Sequence, residues 1–297
     1  MAEQSGHVIA LGTFDGLHKG HRAVLNAALN FKNSIPIAVT FDEPPKRHTA
    51  KGFVPMLMSA EQKNLKLIEM GFKHIDVLNY NQIHDLSPKE FLDSLFKKYT
   101  VKAVVCGFNY RFGKCGEGDA AFLTAYCHNN GAESVVCPEA YVSGQTVSST
   151  LIRSLVADGN ISFANMLLSE PFSFKTEVIH GDERGRTIGF PTINQELDSN
   201  LVQPKFGVYV TSVVVDGKEY PAVSNIGMRP TFELQKPMCE TYIIDFCGEL
   251  YSKRVQIRLL DFLRPEQRFE SLEDLKTAIE NDKENAKKKF EAYNLSK

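Results

Sequence analysis

The sequence predicts an α/β fold, in which a doubly wound parallel sheet is followed by a small antiparallel β-barrel and a C-terminal helix. The first observation is that short apolar runs alternate with segments of helical spacing in the first half of the chain. The second is that alternating polar and apolar runs, separated by turn signals, fill the second half. The third is a last segment of helical spacing that begins with the capping residue Ser271.

The first half is predicted to contain five strands joined by helices. Capping-box patterns begin two of the helices, at Ser59 with Gln62 and at Ser87 with Glu90. Ligands of doubly wound sheets bind beyond the carboxyl ends of the strands, so we expect the functional loops there. The predicted strands are 7–11, 35–41, 74–78, 103–107 and 133–137.

The second half is predicted to be a barrel of hairpins. Asp216-Gly217 is a strong hairpin turn signal between two alternating runs. The predicted boundary follows residue 168, which gives domains 1–168 and 169–297. The predicted elements are a strand at 172–180, a hairpin of 207–215 with 218–220, a second strand pair of 240–246 with 251–260, and a helix at 271–293.

Composition limits the class of protein. A chain of 297 residues that is 43% hydrophobic has material for two domains with separate cores. A net charge of −2 provides no electrostatic footprint for nucleic acid, which favours small ligands. The N-terminus lacks a signal-peptide pattern and no apolar run is long enough to span a bilayer, so we expect a soluble, cytoplasmic protein without membrane partners. The six cysteines form no CxxC pair and predict neither a zinc site nor a disulfide framework.

The first candidate site is the segment LGTFDGLHKGH, residues 11–21, where an apolar strand turns into a helix. Gly12 and Gly16 allow close approach of a ligand to the backbone. The first turn of the helix directs free N–H groups at that ligand, which makes an anion site. His18 and His21 lie three residues apart and can together stabilise charge on a phosphoryl group. The same spacing suits a metal-binding pair or two satisfied polar residues at a helix start.

Two more stretches of the first half suit a nucleotide or a planar ring. Residues 107–119 interleave aromatic rings, cations and glycines, which also fits a plain flexible loop. Residues 148–153, SSTLIR, place hydroxyls at a helix start and an arginine one turn later, where they can hold a phosphate. An ordinary helix cap with a surface arginine has the same pattern.

The barrel contains its own candidates. Residues 181–190, here called the flap, hold three glycines and two arginines, which suits a cover over phosphates or a charged surface hairpin. Thr192 and Asn194 lie on one side of an extended segment and offer hard oxygen ligands for Mg²⁺. Glu240, in an otherwise apolar strand, either accepts a proton from a primary alcohol or only faces solvent.

The order of these motifs resembles one enzyme family. GTFDGLHKGH, GFNYRFGKCGEGD and SSTLIR resemble the HxGH-type adenylyltransferase domain of the bifunctional prokaryotic FAD synthetases, over about the first 155 residues. HGDERGRTIGFPTIN, PKFGVYV, SNIGMRPTF, ETYIIDF and LRPEQRF resemble the riboflavin kinase domain of the same family. The resemblance implies that riboflavin is phosphorylated to FMN and that FMN is adenylylated to FAD with release of pyrophosphate. Both steps would use Mg²⁺ and ATP.

The resemblance also implies roles for individual residues. In the adenylyltransferase, His18 and His21 bind the ATP phosphates and stabilise the transition state. The remaining residues with implied roles in that domain are Gly12, Phe14, Asp15 and Gly20 for the shape of the phosphate site, Ser149, Thr150 and Arg153 for the triphosphate, and Asn109 and Arg111 for the flavin. Those in the kinase are Glu240 for deprotonation of the riboflavin 5′-hydroxyl, Thr192 and Asn194 for Mg-ATP, Gly185 and Arg186 for the flap, and Arg264 and Arg268 for the flavin side.

Two positions depart from the family pattern. The family usually has a His-Pro pair where Phe41-Asp42-Glu43-Pro44-Pro45 stands, and usually an alanine where Ile193 stands. The first departure bears on flavin affinity or on the preferred redox state of the flavin.

One alternative to a chain with both activities is that only the adenylyltransferase is active and the barrel is a binding module. Another is a flavin-binding regulator without turnover. The sequence predicts small-molecule substrates (riboflavin, FMN and ATP) and does not indicate an oligomeric state.

Overall fold

The computed structural model describes residues 6–49, 52–181, 184–229 and 236–295. It confirms the predicted fold class, and the chain divides into two compact units, Met1–Ser149 and Thr150–Lys297. The predicted boundary after residue 168 lies beyond the first helices of the second unit and stays a prediction. No helix in the described ranges is long and apolar enough to cross a membrane.

The first unit is built on a five-stranded parallel sheet with the order β3-β2-β1-β4-β5. Because β1 is central, its residues Val8–Leu11 are at most 1% exposed, which explains its uninterrupted apolar run. The strand order reverses between β1 and β4, and ligands of such sheets bind at the carboxyl ends of the strands at this point. The strands are β1 (Gly6–Leu11), β2 (Ser34–Phe41), β3 (His74–Leu78), β4 (Val101–Gly107) and β5 (Glu133–Cys137).

Helices cover both faces of this sheet. Alternate residues of β1 point to opposite faces, so Val8 packs with Leu25 and Leu67, whereas Ile9 packs with Leu92 and Leu123. Both predicted capping boxes are present, at the starts of α3 and α5. The helices and short strands are α1 (Lys19–Leu29), α2 (Lys46–Thr49), α3 (Ala60–Glu69), α4 (Tyr80–Ile83), α5 (Pro88–Lys98), α6 (Ala120–Asn129), β6 (Tyr141–Val142) and β7 (Gln145–Thr146).

The second unit contains a closed six-stranded barrel with the order β10-β11-β12-β9-β8-β13. A last long helix, α10, packs on its outside. The elements are α7 (Ser149–Ala157), which starts at the last residue of the first unit, α8 (Ile161–Leu167), β8 (Ser173–Ile179), α9 (Arg184–Thr187), β9 (Thr192–Glu196), β10 (Gly207–Val215), β11 (Lys218–Arg229), β12 (Lys236–Ile243), β13 (Arg254–Arg264) and α10 (Leu272–Leu295).

One predicted hairpin of the barrel is confirmed and the other is wrong. Asp216 and Gly217 both have positive φ, +49° and +79°, and join β10 to β11. The predicted pairing of 240–246 with 251–260 does not form, because β12 pairs with β11 and β9, whereas β13 pairs with β10 and β8. The connecting residues 244–253 are longer than a hairpin loop and lead to the opposite side of the barrel.

Strand alternation separates the barrel interior from its outer face. Inside, the hydroxyls of Thr211, Ser224 and Thr241 form a hydrogen-bonded chain, with oxygen distances of 2.8 and 2.7 Å. On the outside, residues of β10 and β11 such as Val208 and Val223 pack with α10. Residues next to Ser224 and Thr241 along their strands therefore point outward. This places the polar residues of β11 and β12 beside the face that α10 covers.

Candidate functional sites

The loop that follows β1, residues 12–18, is here called the cradle loop. Its backbone is tightly folded, since Phe14, Gly16 and Leu17 all have positive φ, between +44° and +85°. The Phe14 ring is fully buried and lies where a side chain at Gly12 would need space, because a Cβ there would be 2.5 Å from the ring. The left-handed conformation costs about 1 kcal/mol for a residue other than glycine. The surrounding packing must therefore hold this loop in place.

The two histidines meet at the start of α1, as predicted. His18 is the N-cap of the helix, and its Nδ1 accepts a hydrogen bond from the backbone N–H of His21 at 3.2 Å. The imidazole rings stack with centroids 3.6 Å apart. A Cβ on Gly20 would lie 3.3 Å from the His18 ring, so glycine suits this position. With Nδ1 as acceptor, neutral His18 carries its proton on Nε2, where it can donate to a phosphate oxygen.

Asp15 connects the cradle loop to two other parts of the first unit. The carboxylate is 3% exposed and accepts a hydrogen bond from the Leu57 N–H at 2.9 Å. The backbone carbonyl of Asp15 accepts another from the Ser149 hydroxyl at 2.9 Å. Ser149 begins α7, which also carries Thr150 and Arg153. The roles of these two residues at the triphosphate stay predictions.

Lys63 lies behind the cradle loop and was not predicted. The side chain is buried, with 4% exposure, and its Nζ donates to the Thr13 carbonyl at 3.3 Å and to the Phe41 carbonyl. Burial lowers the pKa of Lys63 to about 8, while Asp15 and Asp42 act in the opposite direction. The sequence signal that indicates burial of Lys63 is its helical spacing, because Lys63 lies four residues before the buried Leu67 on the same face of α3.

The aromatic loop, the part of residues 107–119 that follows β4, lies at the same sheet edge as the cradle loop, because β1 and β4 are parallel neighbours. Backbone hydrogen bonds in both directions between Phe112 and Gly118, at 3.1 and 2.9 Å, close the loop. Asn109 is exposed, and the exposed guanidinium of Arg111 lies 3.6 Å from the carboxylate of Asp119. Both side chains are thus accessible, and their contact with a flavin stays a prediction.

The barrel brings its predicted residues together on the outer face. Asn194 of β9 lies opposite Glu240 of β12, and Glu240 in turn lies opposite Asn225 of β11. Side chains of directly opposed residues point to the same face, with Cβ atoms about 5 Å apart. Thr192 lies on the same side of β9, two residues before Asn194. A carboxylate and several neutral oxygen donors therefore share one surface.

Two glycines of the flap, Gly181 and Gly185, approach this surface closely. A Cβ on Gly181 would lie 2.2 Å from the Asn194 amide nitrogen, and one on Gly185 would lie 2.3 Å from the Phe190 carbonyl oxygen. A Cβ on Gly185 would also lie 3.5 Å from the Thr192 hydroxyl oxygen, so the backbone of Gly185 is close to Thr192. Arg186 belongs to α9, and its side chain, like residues 182–183, lies outside the described part.

A cavity of about 280 Å³ opens beside Thr192 at one end of the barrel. The ring of Tyr251, which lines the cavity, stacks on His180, with centroids 3.9 Å apart. The volume approaches the lower end of the range for small-molecule pockets. Its lining includes Val178, Thr192, Thr241, Ile243, Phe246 and Tyr251.

Comparisons with known proteins match both units. The FAD synthetase family model matches residues 1–151, and the riboflavin kinase family model matches residues 168–290. The bifunctional riboflavin kinase/FMN adenylyltransferase of Listeria monocytogenes is 35% identical over 95% of this chain and 92% of its own length. The chain belongs to the bifunctional riboflavin kinase/FMN adenylyltransferase family. The Escherichia coli family member is 36% identical over 97% of this chain and 94% of its own length.

A solved structure has the same architecture as this family member. The crystal structure of a macrolide-efflux protein from Streptococcus pneumoniae superposes with a TM-score of 0.86 at 29% identity, covering 97% of this chain and 95% of that one.

The riboflavin kinase unit of this family member also contains a carboxylate that was not predicted. The Glu266 carboxylate accepts a hydrogen bond from the Asn225 amide nitrogen at 3.2 Å. A Cβ on Gly227 would lie 2.2 Å from the same carboxylate. The LRPEQRF segment therefore folds against β11, beside the strand residue that faces Glu240. A lone glutamate in a polar segment offers no sequence signal for this position.

The two arginines predicted on the flavin side of this unit differ in their surroundings. Arg268 is exposed, whereas Arg264 donates from Nε and Nη2 to the Asp282 carboxylate at 3.1 and 2.8 Å. The Asp282 side chain is only 8% exposed, and the Arg264 guanidinium also lies over the Phe269 ring. This ion pair joins the end of β13 to α10. A flavin contact of either arginine stays a prediction.

We expect Asp282→Asn to destabilise the packing of α10 by about 2–4 kcal/mol, because it leaves a partly buried guanidinium without its counter-charge. Amide hydrogen exchange of α10 peptides measures this, and protection is expected to fall at least tenfold. Asp245→Asn is the matched control, since Asp245 pairs with Lys287 of the same helix but is 74% exposed. Equal protection in both variants would contradict a structural role of the Arg264–Asp282 pair.

Proposed function

We propose that this chain makes FAD from riboflavin in two ATP-dependent steps at two separate sites. The observation that carries the proposal is that each unit assembles its own reactive group, the stacked His18–His21 pair in the first unit and the Asn194–Glu240 strand pair in the second. Membership of a family whose curated members are named for both activities supports the assignment.

In the first unit, the ATP phosphates bind at the start of α1. There the first backbone N–H groups of the helix and the imidazole N–H groups of His18 and His21 donate to them. A phosphate oxygen of FMN attacks the α-phosphorus of ATP, and the bond from that phosphorus to the bridging oxygen breaks. The electron pair leaves with pyrophosphate, so no covalent enzyme intermediate is required. Both reactants are anions. The donors at His18 and His21 lower the barrier by stabilising the negative charge that develops on the phosphoryl group in the transition state.

In the second unit, Glu240 accepts the proton of the ribityl 5′-hydroxyl of riboflavin. The oxygen attacks the γ-phosphorus of ATP, and ADP leaves with the electron pair of the broken bond. Gly185 and Arg186 close the flap over the phosphates. Exposed Arg268 and the guanidinium of Arg264 face the flavin side.

Thr192 and Asn194 fit a magnesium ion that arrives with ATP. They supply neutral oxygen donors on one face of β9, and Mg²⁺ in kinase sites takes few protein ligands besides phosphates and water. The described residues contain no cluster of three or more His, Cys, Asp or Glu side chains that could hold a metal independently. When bound, the ion neutralises charge on the phosphates. We also propose a cytoplasmic location, which suits six free cysteines.

Product analysis tests the proposal. Purified protein is incubated with riboflavin, ATP and Mg²⁺, with oxidised and then reduced flavin, and the flavins are separated by chromatography, with FMN as a parallel substrate. We expect FMN to appear first and FAD afterwards, with both steps stopped by EDTA. If FAD formed from FMN but not from riboflavin, the barrel would be only a binding module. No product under either redox condition would favour a regulator without turnover.

A further inference from the structure

The buried ammonium of Lys63 has no role in the mechanism above, although it contacts the cradle loop directly. Lys63 reaches from α3 to the carboxyl ends of β1 and β2, which are parallel neighbours in the sheet. The Thr13 carbonyl that it contacts also accepts a hydrogen bond from the Thr40 hydroxyl at 3.0 Å. Two donors therefore fix this carbonyl one residue before the strained Phe14.

We propose that Lys63 is a positioning residue for adenylyl transfer, which ties the cradle loop to the end of β2 and places a positive charge behind the phosphate site. The inference rests on the proposed function of the first unit. A buried charge is costly, and a methionine would fill the same space without that cost. Packing alone does not account for a lysine here. Asp15 and Asp42 supply counter-charges within the fold, and two anionic substrates give the positive charge a use in the reaction.

The charged groups that face Lys63 come from the segments after both strands. Asp15 of the cradle loop and Asp42 after β2 both raise the pKa of its ammonium, against the effect of burial. The Asp15 carboxylate also holds the Leu57 N–H, and the Asp42 carboxylate accepts from the Glu43 N–H at 2.8 Å. Lys63 thus also contacts the chain just before Asp42-Glu43-Pro44-Pro45, where this chain departs from the family pattern.

The charge on Lys63 is expected to be lost within an accessible pH range. Its pKa of about 8 lies well below the usual value because of burial, so the ammonium deprotonates as the pH rises from 7 to 9.5. The rate of FAD formation from FMN is expected to fall about tenfold over this range if bound phosphates partly restore the charge. Riboflavin phosphorylation by the same chain reports on pH effects that are not specific to the first unit.

Three variants test the inference. Lys63→Met is expected to lower kcat for FAD formation from FMN about 100-fold, with KM for FMN changed less than about threefold, because substrate contacts remain. Lys63→Arg keeps the charge and is expected to recover kcat to within about tenfold and to abolish the decline at high pH. Lys97→Met, at an exposed lysine of α5, is the matched control and is expected to behave as wild type. Unchanged riboflavin phosphorylation shows that each protein is folded in its second unit.

A binding measurement covers the case in which Lys63→Met fails to fold. Calorimetry of Mg-pyrophosphate binding at pH 8.5, in two buffers of different ionisation enthalpy, is expected to show about half a proton more uptake by wild type than by Lys63→Arg, since bound anions raise the pKa of Lys63. Equal uptake, or a Lys63→Met variant with wild-type kcat and pH profile, would overturn the inference. A wild-type chain that makes no FAD from FMN would contradict the proposed function instead.

Discussion

His21→Ala is expected to slow FAD formation from FMN by about 10²–10³-fold, while riboflavin phosphorylation by the same chain stays unchanged. The reason is that one preorganised N–H donor at the developing phosphoryl charge contributes a factor of this size to kcat. His21 is a cleaner target than His18, because His18 also caps α1 and its loss would cost about 1 kcal/mol of helix stability. Initial rates with FMN and with riboflavin as substrates measure the two activities separately.

The matched control for this variant is His128→Ala. His128 is an exposed histidine in the last turn of α6 in the same unit, and its loss is expected to change neither activity. If His21→Ala and His128→Ala made FAD at the same rate, the stacked pair would be structural. The assignment of the phosphate site to the start of α1 would then be wrong.

The fold of the first unit was predictable because its signals are local. Strands at 74–78 and 133–137 match the observed β3 and β5, and Ser59 and Ser87 cap helices where their capping-box patterns place them. Two-residue and four-residue elements such as β6 and α2 are too short to show a period. The family resemblance was equally visible, since its motifs are contiguous stretches of sequence.

The pairing of strands in the barrel was not predictable from neighbouring runs. Asp216-Gly217 encodes its turn in two residues, so that hairpin was found. The connection at 244–253 contains no such signal, and the partners of β12 and β13 follow from closure of all six strands. Closure is a property of the whole sheet and leaves no local pattern.

The candidate sites divide along the same line. Thr192 and Asn194 share a strand, so alternation places them on one side, and His18 and His21 share a helix turn. Lys63 approaches the cradle loop from a distant helix, and a lysine in an amphipathic pattern is usually counted as solvent-facing. Contacts formed between segments far apart in sequence need the fold before they can be recognised.

Glu240→Gln is expected to lower the rate of riboflavin phosphorylation by about 10²–10⁴-fold, because the amide has the size of the carboxylate but is not a base. The rate of FAD formation from FMN is expected to stay unchanged, since that reaction belongs to the other unit. KM for riboflavin is expected to change only a few-fold, because Asn194 and Asn225 still flank the position on β9 and β11. Initial rates over a range of riboflavin concentrations separate the two parameters.

Glu177→Gln is the matched control, since Glu177 is an exposed glutamate on β8 of the same barrel. It separates loss of a carboxylate from loss of the base. If both variants phosphorylated riboflavin at the wild-type rate, Glu240 would be only solvent-facing, and Glu266, held by Asn225 on the adjacent strand, would be the next carboxylate to test as the base. A loss confined to Glu240→Gln would instead establish that the outer face of β9, β11 and β12 is where the alcohol is activated.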